Sequence, residues 1–309
     1  MSAQQINHVA ILLGTRDGAE YLPAQLGSFE HQTHHNWSLW ASDDGSTDGT
    51  QEIIADFIDR AGVNGRLVNG PQQGVCANFM SLVVNPEIQA NYYAFADQDD
   101  VWSDDKLARA VNWLKAIDAD IPAVYCSRTQ LIDSNGTPVG YSPGYAKAPG
   151  FGNALLQNIA SGNTMVFNHR ARMLLSKASL APMVIHDWSL YQIVTGCGGV
   201  VHYDPQPTVL YRQHSHNVIG NSMAPWVRLR NFIAAHDGRA ATWNDQNWQV
   251  LNCVSDDLTP QAKRSLEAFR RIRNSGLLGR LRLMRESGIY HQQLLGSVTT
   301  LTYVLLNKI

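Results

Sequence analysis

Along this chain, unbroken apolar runs alternate with segments in which apolar residues recur at helical spacing. Val9 to Gly14 (VAILLG) is continuous and predicts a strand buried on both faces, as in a parallel sheet. After the turn Thr15-Arg16-Asp17-Gly18-Ala19, Leu22, Leu26 and Phe29 mark one face of a helix. Trp37 to Ser42 predicts a second strand. Asp48 with Gln51 three residues on predicts a capping box for a helix lined by Ile53, Ile54, Phe57 and Ile58. Arg66-Leu67-Val68 predicts a short third strand, Gly74 to Val84 a helix and Tyr92 to Ala96 a fourth strand. Strand and helix alternating over short connections predict an α/β class with a mainly parallel sheet flanked by helices. After Pro225 the pattern is helical only: Trp226 to His236, Arg239 to Leu251, Pro260 to Ser275, and more between Leu277 and Ile309. The expected division is an α/β domain over 1–225 and a helical C-terminal appendage over 226–309.

Polar residues punctuate three of the predicted strand ends: Gly14-Thr15-Arg16, Asp43-Asp44 and Asp97-Gln98-Asp99-Asp100. In one parallel sheet those ends lie along one edge, where open α/β sheets bind ligands. Three carboxylates within four residues repel one another, and a divalent cation offsets that repulsion. Carboxylate oxygens suit Mg²⁺ or Mn²⁺, which also take phosphate oxygens. Asp97-x-Asp99 therefore reads as a metal–diphosphate anchor, or else as an acidic turn before a helix with Ser103 as N-cap. Asp43 and Asp44 read as nucleotide contacts or as formers of an Asp-Gly turn. No G-x-G-x-x-G follows the first strand and no G-x-x-x-x-G-K-[ST] occurs, which argues against dinucleotide and P-loop enzymes.

Ser42-Asp43-Asp44-Gly45-Ser46-Thr47-Asp48-Gly49-Thr50, followed some fifty residues later by Phe95-Ala96-Asp97-Gln98-Asp99-Asp100-Val101-Trp102, resembles glycosyltransferase family 2. The nearest likeness is to bacterial rhamnosyltransferase-like members that build surface polysaccharides, and it covers roughly residues 8–220. His186-Asp187-Trp188-Ser189-Leu190 and the run from Tyr203-Asp204-Pro205 to Tyr211-Arg212-Gln213-His214 extend it. The resemblance implies a GT-A fold, a catalytic domain over 1–225 and an inverting, metal-dependent transfer from a nucleotide-diphospho-sugar, a UDP- or dTDP-sugar. The acceptor it implies is a hydroxyl of a glycan or lipid-linked glycan. It implies that Asp44 contacts the nucleotide base with Asp43 beside it, that Asp97 lies near the ribose and that Asp99 binds the metal. Asp187 matches the position of the catalytic base. The family usually carries a tyrosine and an asparagine where this chain has Arg16 and Asp17, so Arg16, next to Thr15, is expected on a phosphate or on the base face.

Asp187 also reads as the N-cap of the helix predicted from Trp188. His186 beside it is expected to tune it or to touch acceptor. The resemblance implies His214 as a third metal ligand and Arg212 as a diphosphate contact, with His216 a weaker candidate of the same kind; read alone, a lone histidine is a structural residue. Trp102 and Trp188 adjoin acidic motifs and read either as core or as stacking faces for a sugar. The small residues of Ser161-Gly162-Asn163-Thr164 are expected to let an acceptor approach closely.

The formal net charge is only −2, yet residues 1–225 balance at −8 and residues 226–309 at +6. Between Lys263 and Arg285 eight Lys and Arg face one acid, with leucines interleaved. That segment predicts contact with a membrane surface or a homodimer interface. No nucleic-acid partner is expected. Four scattered cysteines and an N-terminus without a basic-then-apolar leader predict a cytoplasmic protein, at the inner face of the cell membrane if the basic helices bind there. Two rivals stand: a sugar-phosphate nucleotidyltransferase, which needs a fuller glycine-rich loop, and a non-catalytic glycan-binding relative, which would have lost an acidic motif.

Overall fold

The computed structural model describes residues 7–213 and 240–309. At its centre β1 (Val9–Thr15) lies between β2 (Trp37–Asp43) and β4 (Tyr92–Asp97), with β3 (Gly65–Asn69) outside β2, all parallel. Helices α1 (Leu22–Glu30), α2 (Thr50–Ala61) and α3 (Val75–Val84) make the connections. There follow β5 (Val101–Trp102), α4 (Lys106–Leu114), β6 (Ala123–Ile132), β7 (Pro138–Tyr141), α5 (Phe151–Ala154), β8 (Val166–Asn168), α6 (His169–Lys177), α7 (His186–Gly196) and β9 (Val200–Arg212). Among the described residues these strands form one sheet in the order β3-β2-β1-β4-β8-β6-β9-β5, with β7 beside β6. The parallel run stops at β4. The three-residue β8 is antiparallel to both β4 and β6, so the sheet as a whole is mixed.

Alternate residues of β1 supply two separate cores. Ala10 and Leu12 point to the face covered by α3, α6 and α7, while Val9, Ile11 and Leu13 point to the face covered by α1, α2 and α4. A strand covered on both sides has no polar alternation to show, which is why its sequence is continuous in apolar residues. The pairing register then fixes the functional edge: Thr15 lies opposite Asp43, and Gly14 opposite Asp97.

The C-terminal helices are α8 (Ala240–Cys253), α9 (Pro260–Ile272), α10 (Leu277–Ser287) and α11 (Leu294–Leu306). They share a core with the first of those faces. Val250, Leu251, Val254, Leu258, Phe269 and Ile272 belong to the same buried cluster as Leu190, Tyr191 and Val194 of α7. Gly196 at the end of α7 has no room for a side chain, since a Cβ there would stand 2.8 Å from Leu258 and 2.9 Å from Phe151. Thr259 begins α9 by accepting a hydrogen bond from the Ala262 amide (3.1 Å), with Pro260 at the first helical position.

Local expectations differ from the structure at three helix starts. The capping box of α2 does not form: Gly49 is the N-cap, Asp48 bonds Thr50 and Ala19, and Gln51 reaches Asp43 instead. Ser103 is not the cap of α4, which begins at Lys106; its hydroxyl donates to Asp105 and to the Thr208 carbonyl, tying the turn to β9. Asp187 is not the cap of α7, whose N-cap is Ile185; the carboxylate sits inside the first turn. The helix expected over Trp226 to His236 and the boundary between 225 and 226 lie outside the described residues.

Arg172 of α6 is the tie between layers. It is buried, and its guanidinium donates to the carbonyls of Val83 (2.8 Å), Ile88 (2.9 Å) and Asn85 (2.6 Å) around the α3–β4 connection. Arg172→Met strands two buried carbonyls and a part-buried one and should destabilise the fold by about 3 kcal/mol or more in denaturant titration. Arg172→Lys should recover little, because an ammonium cannot reproduce the planar fork.

Candidate active site

The carboxyl ends of β1, β2 and β4 bring together the three polar clusters that the sequence singled out. Asp43 is buried and heavily bonded. It accepts from the Thr15 hydroxyl (3.0 Å), the Ser46 amide (2.8 Å) and hydroxyl, and the Gln51 side chain (2.7 Å). Burial pushes its pKa up, but those hydrogen bonds together outweigh burial and hold it below the ordinary carboxylate range. Asp44 accepts from the backbone amides of Gln72 (2.6 Å) and Gly74 (2.9 Å), so it anchors the loop ahead of α3. Asn78 on α3 donates to the carbonyls of Ser42 (2.9 Å) and Thr15 (3.3 Å), clamping the ends of β1 and β2 together, and its own Oδ1 is buried without a partner.

The loop after β1 is laced to its neighbours. Gln98 accepts from the Arg16 amide (2.8 Å) and donates to the Arg16 carbonyl (2.9 Å). Gly18 lies so close to Gln98 that a Cβ would stand 2.2 Å from its Oε1. Asp17, with φ +46°, accepts from the Thr47 amide, and its own amide donates to Ser46. The Arg16 side chain is exposed on this rim, 3.9 Å from Asp17.

Asp97 and Asp99 are half-buried, and Asp100 is wholly buried. Burial, followed by the charges of Asp99 and Asp187, pushes the Asp97 carboxyl up to about 8. Asp100 is likewise raised, by burial and then by Asp99 and Asp97. It accepts from the Asn163 side chain (2.6 Å) and the Arg212 amide (3.2 Å). Gln25 donates to the Asp97 carbonyl (2.9 Å) and fixes the strand end. Arg212 spends Nε on the Asp99 carbonyl (3.0 Å) and Nη1 on the carbonyls of Asp133 (3.2 Å) and Ser134 (3.0 Å), so its observed work is to hold the acidic turn in place. Its guanidinium also lies over the Tyr21 ring, 4.7 Å from the centroid.

Hard carboxylate oxygens crowded until one resists ionisation fit the donor chemistry that Mg²⁺ or Mn²⁺ takes. Among the described residues no group of three His, Cys, Asp or Glu side chains forms a complete cage. His214, the expected third ligand, lies outside the described residues, as does His216.

Asp187 enters the same field from α7. Its Oδ2 accepts from the Gly162 amide (2.8 Å) and its Oδ1 from the Trp188 amide (2.6 Å). Burial raises its pKa to about 6, against the lowering effect of Gly162, Trp188 and Asn158. The approach depends on Gly162, since a Cβ there would stand 3.2 Å from both Asp187 and His186. The small residues of 161–164 thus serve to bring an amide to Asp187. His186 is not poised toward solvent: it is buried, stacked on Phe79 at 4.3 Å and edge-on to Phe95 at 4.7 Å. Burial pushes its pKa down to about 3, so it stays neutral.

Neither tryptophan offers a face to a sugar. Trp102 packs against Phe29 at 4.7 Å with Lys106 Nζ 4.1 Å from its ring, and Trp188 is held by a bond from Nε1 to the Ala154 carbonyl (2.7 Å). Both are core residues.

Lys106 is the residue that the sequence reading missed. It is completely buried beneath the acidic turn, donates to the Thr164 carbonyl (3.3 Å) and has its pKa lowered to about 7 by burial, with Asp100 opposing that shift. The signal was a lysine at the first position of a helix, where the dipole disfavours a cation, directly after a run of acids. Asn78 was also missed, and Gln51 and Gln98, read in the sequence as a capping partner and as part of the acidic turn, bind the Asp43 carboxylate and the Arg16 backbone instead.

The chain is similar to the dTDP-rhamnosyl transferase RfbG of Shigella flexneri, 26% identical over 255 residues that cover 79% of this chain and 85% of the relative. Among solved structures it is similar to residues 1–349 of S. aureus TarS in complex with UDP-GlcNAc, with a TM-score of 0.53 at 14% identity over 91% of this chain and 89% of that one. It is similar too to the mannosyltransferase PcManGT from Pyrobaculum calidifontis in complex with GDP-Man and Mn²⁺, with a TM-score of 0.52 at 15% identity over 97% and 85%. At such identities the likeness is one of fold, and the fold is GT-A. The family model described as glycosyl transferase family 2 matches residues 11–179, more than half of the chain, and the chain belongs to that family.

Proposed function

We propose that this protein is an inverting, metal-dependent glycosyltransferase that moves a hexosyl or deoxyhexosyl group from a UDP- or dTDP-sugar to a hydroxyl of a glycan or lipid-linked glycan in bacterial surface polysaccharide synthesis. The observation that carries the reading is the convergence of Asp43-Asp44, Asp97-x-Asp99 and Asp187 on one sheet edge. RfbG, named a dTDP-rhamnosyl transferase, supports the deoxyhexose, and the similar TuaG of Bacillus subtilis, named a putative teichuronic acid biosynthesis glycosyltransferase, supports the polysaccharide setting. Structures solved with UDP-GlcNAc and with GDP-Man and Mn²⁺ support a nucleotide-sugar donor and a divalent ion. We place the enzyme in the cytoplasm at the inner face of the cell membrane.

The nucleotide lies across the ends of β1 and β2, with Asp44 toward the base and Arg16 on the exposed rim. Asp97 and Asp99 would hold Mg²⁺ or Mn²⁺, which when bound neutralises the leaving diphosphate. Asp187 accepts the proton of the acceptor hydroxyl as that oxygen attacks the anomeric carbon from the face opposite the leaving group. One displacement inverts the configuration, and no second carboxylate nucleophile is required. A carboxylate with a pKa near 6 is ionised at neutral pH yet more basic than an ordinary aspartate. The amides of Gly162 and Trp188 keep it aimed.

Asp99→Ala should abolish Mn²⁺-dependent nucleoside diphosphate binding in calorimetry while leaving the thermal midpoint in place; unchanged affinity would remove the metal role. Anomeric configuration read by NMR on the product tests inversion, and pyrophosphate release from a nucleoside triphosphate would favour a nucleotidyltransferase instead.

Asp187→Asn should lower turnover by about 10²–10⁴-fold with donor affinity nearly unchanged. Turnover of the wild type should fall as pH drops through about 6, where Asp187 takes up a proton. The same substitution should stabilise the protein at neutral pH. A folded-state pKa above the ordinary 3.8 means that the protonated form favours folding; that contribution is complete below about pH 4 and lost as pH rises through about 6. Replacing the buried charge recovers at most about 3 kcal/mol at pH 7.5 and nothing at pH 4. A melting temperature at pH 7.5 that drops instead would mean that Asp187 acts as a structural tie.

A further inference from the structure

Helix α11 is folded with its apolar side outward. Thr300 and Val304 are its buried positions, whereas Leu294, Leu295, Val298, Leu301 and Leu305 are exposed. At steps of one, four, seven and eleven residues from the first, those five form one stripe along the helix. Leu294 keeps 82% of its surface and Leu295 75%. On the neighbouring α10, Leu283 and Ser287 face inward, while Leu278 (82% exposed), Leu281, Arg282 and Arg285 face out. The two helices are pinned together by Arg280, which donates to the Leu305 carbonyl (3.0 Å) and to the Ser275 carbonyl (2.8 Å). Among the described residues, more than half of the exposed large hydrophobic side chains fall between 277 and 306. An apolar patch of this kind marks an interaction surface.

The charge around the patch selects the partner. Lys263, Arg264, Arg271, Arg282 and Arg285 are exposed on α9 and α10, and from Lys263 to Glu286 eight basic residues face two acids, Glu267 and Glu286, the second paired with Arg282 at 2.7 Å. A second copy of this chain docked face to face would set those basic residues against their own duplicates. An anionic lipid surface meets the apolar stripe and the basic border at once. No helix among the described residues is long and apolar enough to cross a membrane, so the contact lies in the plane of the interface.

We propose that the α10–α11 face docks on an anionic lipid bilayer, the leucine stripe of α11 entering the interface and the arginines of α10 meeting the lipid phosphates. This rests on the transferase reading only for the leaflet it faces. The test uses the full chain, because the C-terminal helices share their core with α7. Wild-type protein should co-sediment with vesicles of phosphatidylcholine containing about one quarter phosphatidylglycerol, and release with added salt. The combined variant Leu294→Gln, Leu295→Gln, Val298→Gln and Leu301→Gln alters exposed side chains only, so its thermal midpoint should hold while its partition falls by about tenfold or more. Arg282→Glu with Arg285→Glu should remove most of the salt-sensitive part. Wild type left in the supernatant at low salt, or a glutamine variant that pellets equally well, overturns the proposal. So does a lipid-free dimer in analytical ultracentrifugation that the glutamine variant abolishes while vesicle binding is absent. Mn²⁺-dependent UDP binding, followed in the same samples, should be unchanged in the variants. Vesicle binding by a protein that binds no nucleotide supports the docking face and overturns the transfer reading alone.

Discussion

Crowded negative charge at one sheet edge is the constraint around which this protein is arranged. In a partly dehydrated place, Asp99 and Asp187 raise the cost of ionising Asp97, and Asp99 and Asp97 raise that of ionising Asp100. Much of the surrounding structure manages that repulsion. Lys106 is buried under the acidic turn, Asn163 and the Arg212 amide bond Asp100, and the Gly162 amide bonds Asp187. These groups keep the carboxylates close without satisfying them completely. The negative charge that is left is what the proposed divalent ion and acceptor proton would meet.

The sheet edge was legible in the sequence because its signals are local and regular. At β4 an apolar run buried on two faces ends abruptly in carboxylates, and the more mixed β2 ends in carboxylates too. The parallel order of those strands then brings the ends together. What escaped the sequence depends on contacts between distant residues. Gln51 has the spacing of a capping residue, yet Asp43 lies within 2.7 Å in the fold and takes its amide. Trp102 adjoins the acidic motif along the chain, but the short β5 turns it into the core against Phe29. Lys106 reads as a surface lysine until the turn folds over it. The antiparallel β8 is too short, at three residues, to announce its direction.

His186 and Asp187 show how neighbours in sequence divide their work. The histidine packs between Phe79 and Phe95 with both ring nitrogens buried. The aspartate beside it keeps two amide donors and a raised pKa. Burial keeps the histidine neutral, so it sets no positive charge beside Asp187.

The shared core of α7 with α8 and α9 bears on how such enzymes can be recombined. Leu258 rests on Gly196, and Phe269 and Ile272 complete the layer over Tyr191 and Val194. The helix that carries Asp187 is thus walled on one side by residues from the far end of the chain. Exchanging the C-terminal helices between relatives would exchange part of the catalytic half's interior, and a chimera would inherit mismatched shapes against the back of α7. The placement of Asp187 and the C-terminal sequence are then expected to vary together, joined by packing.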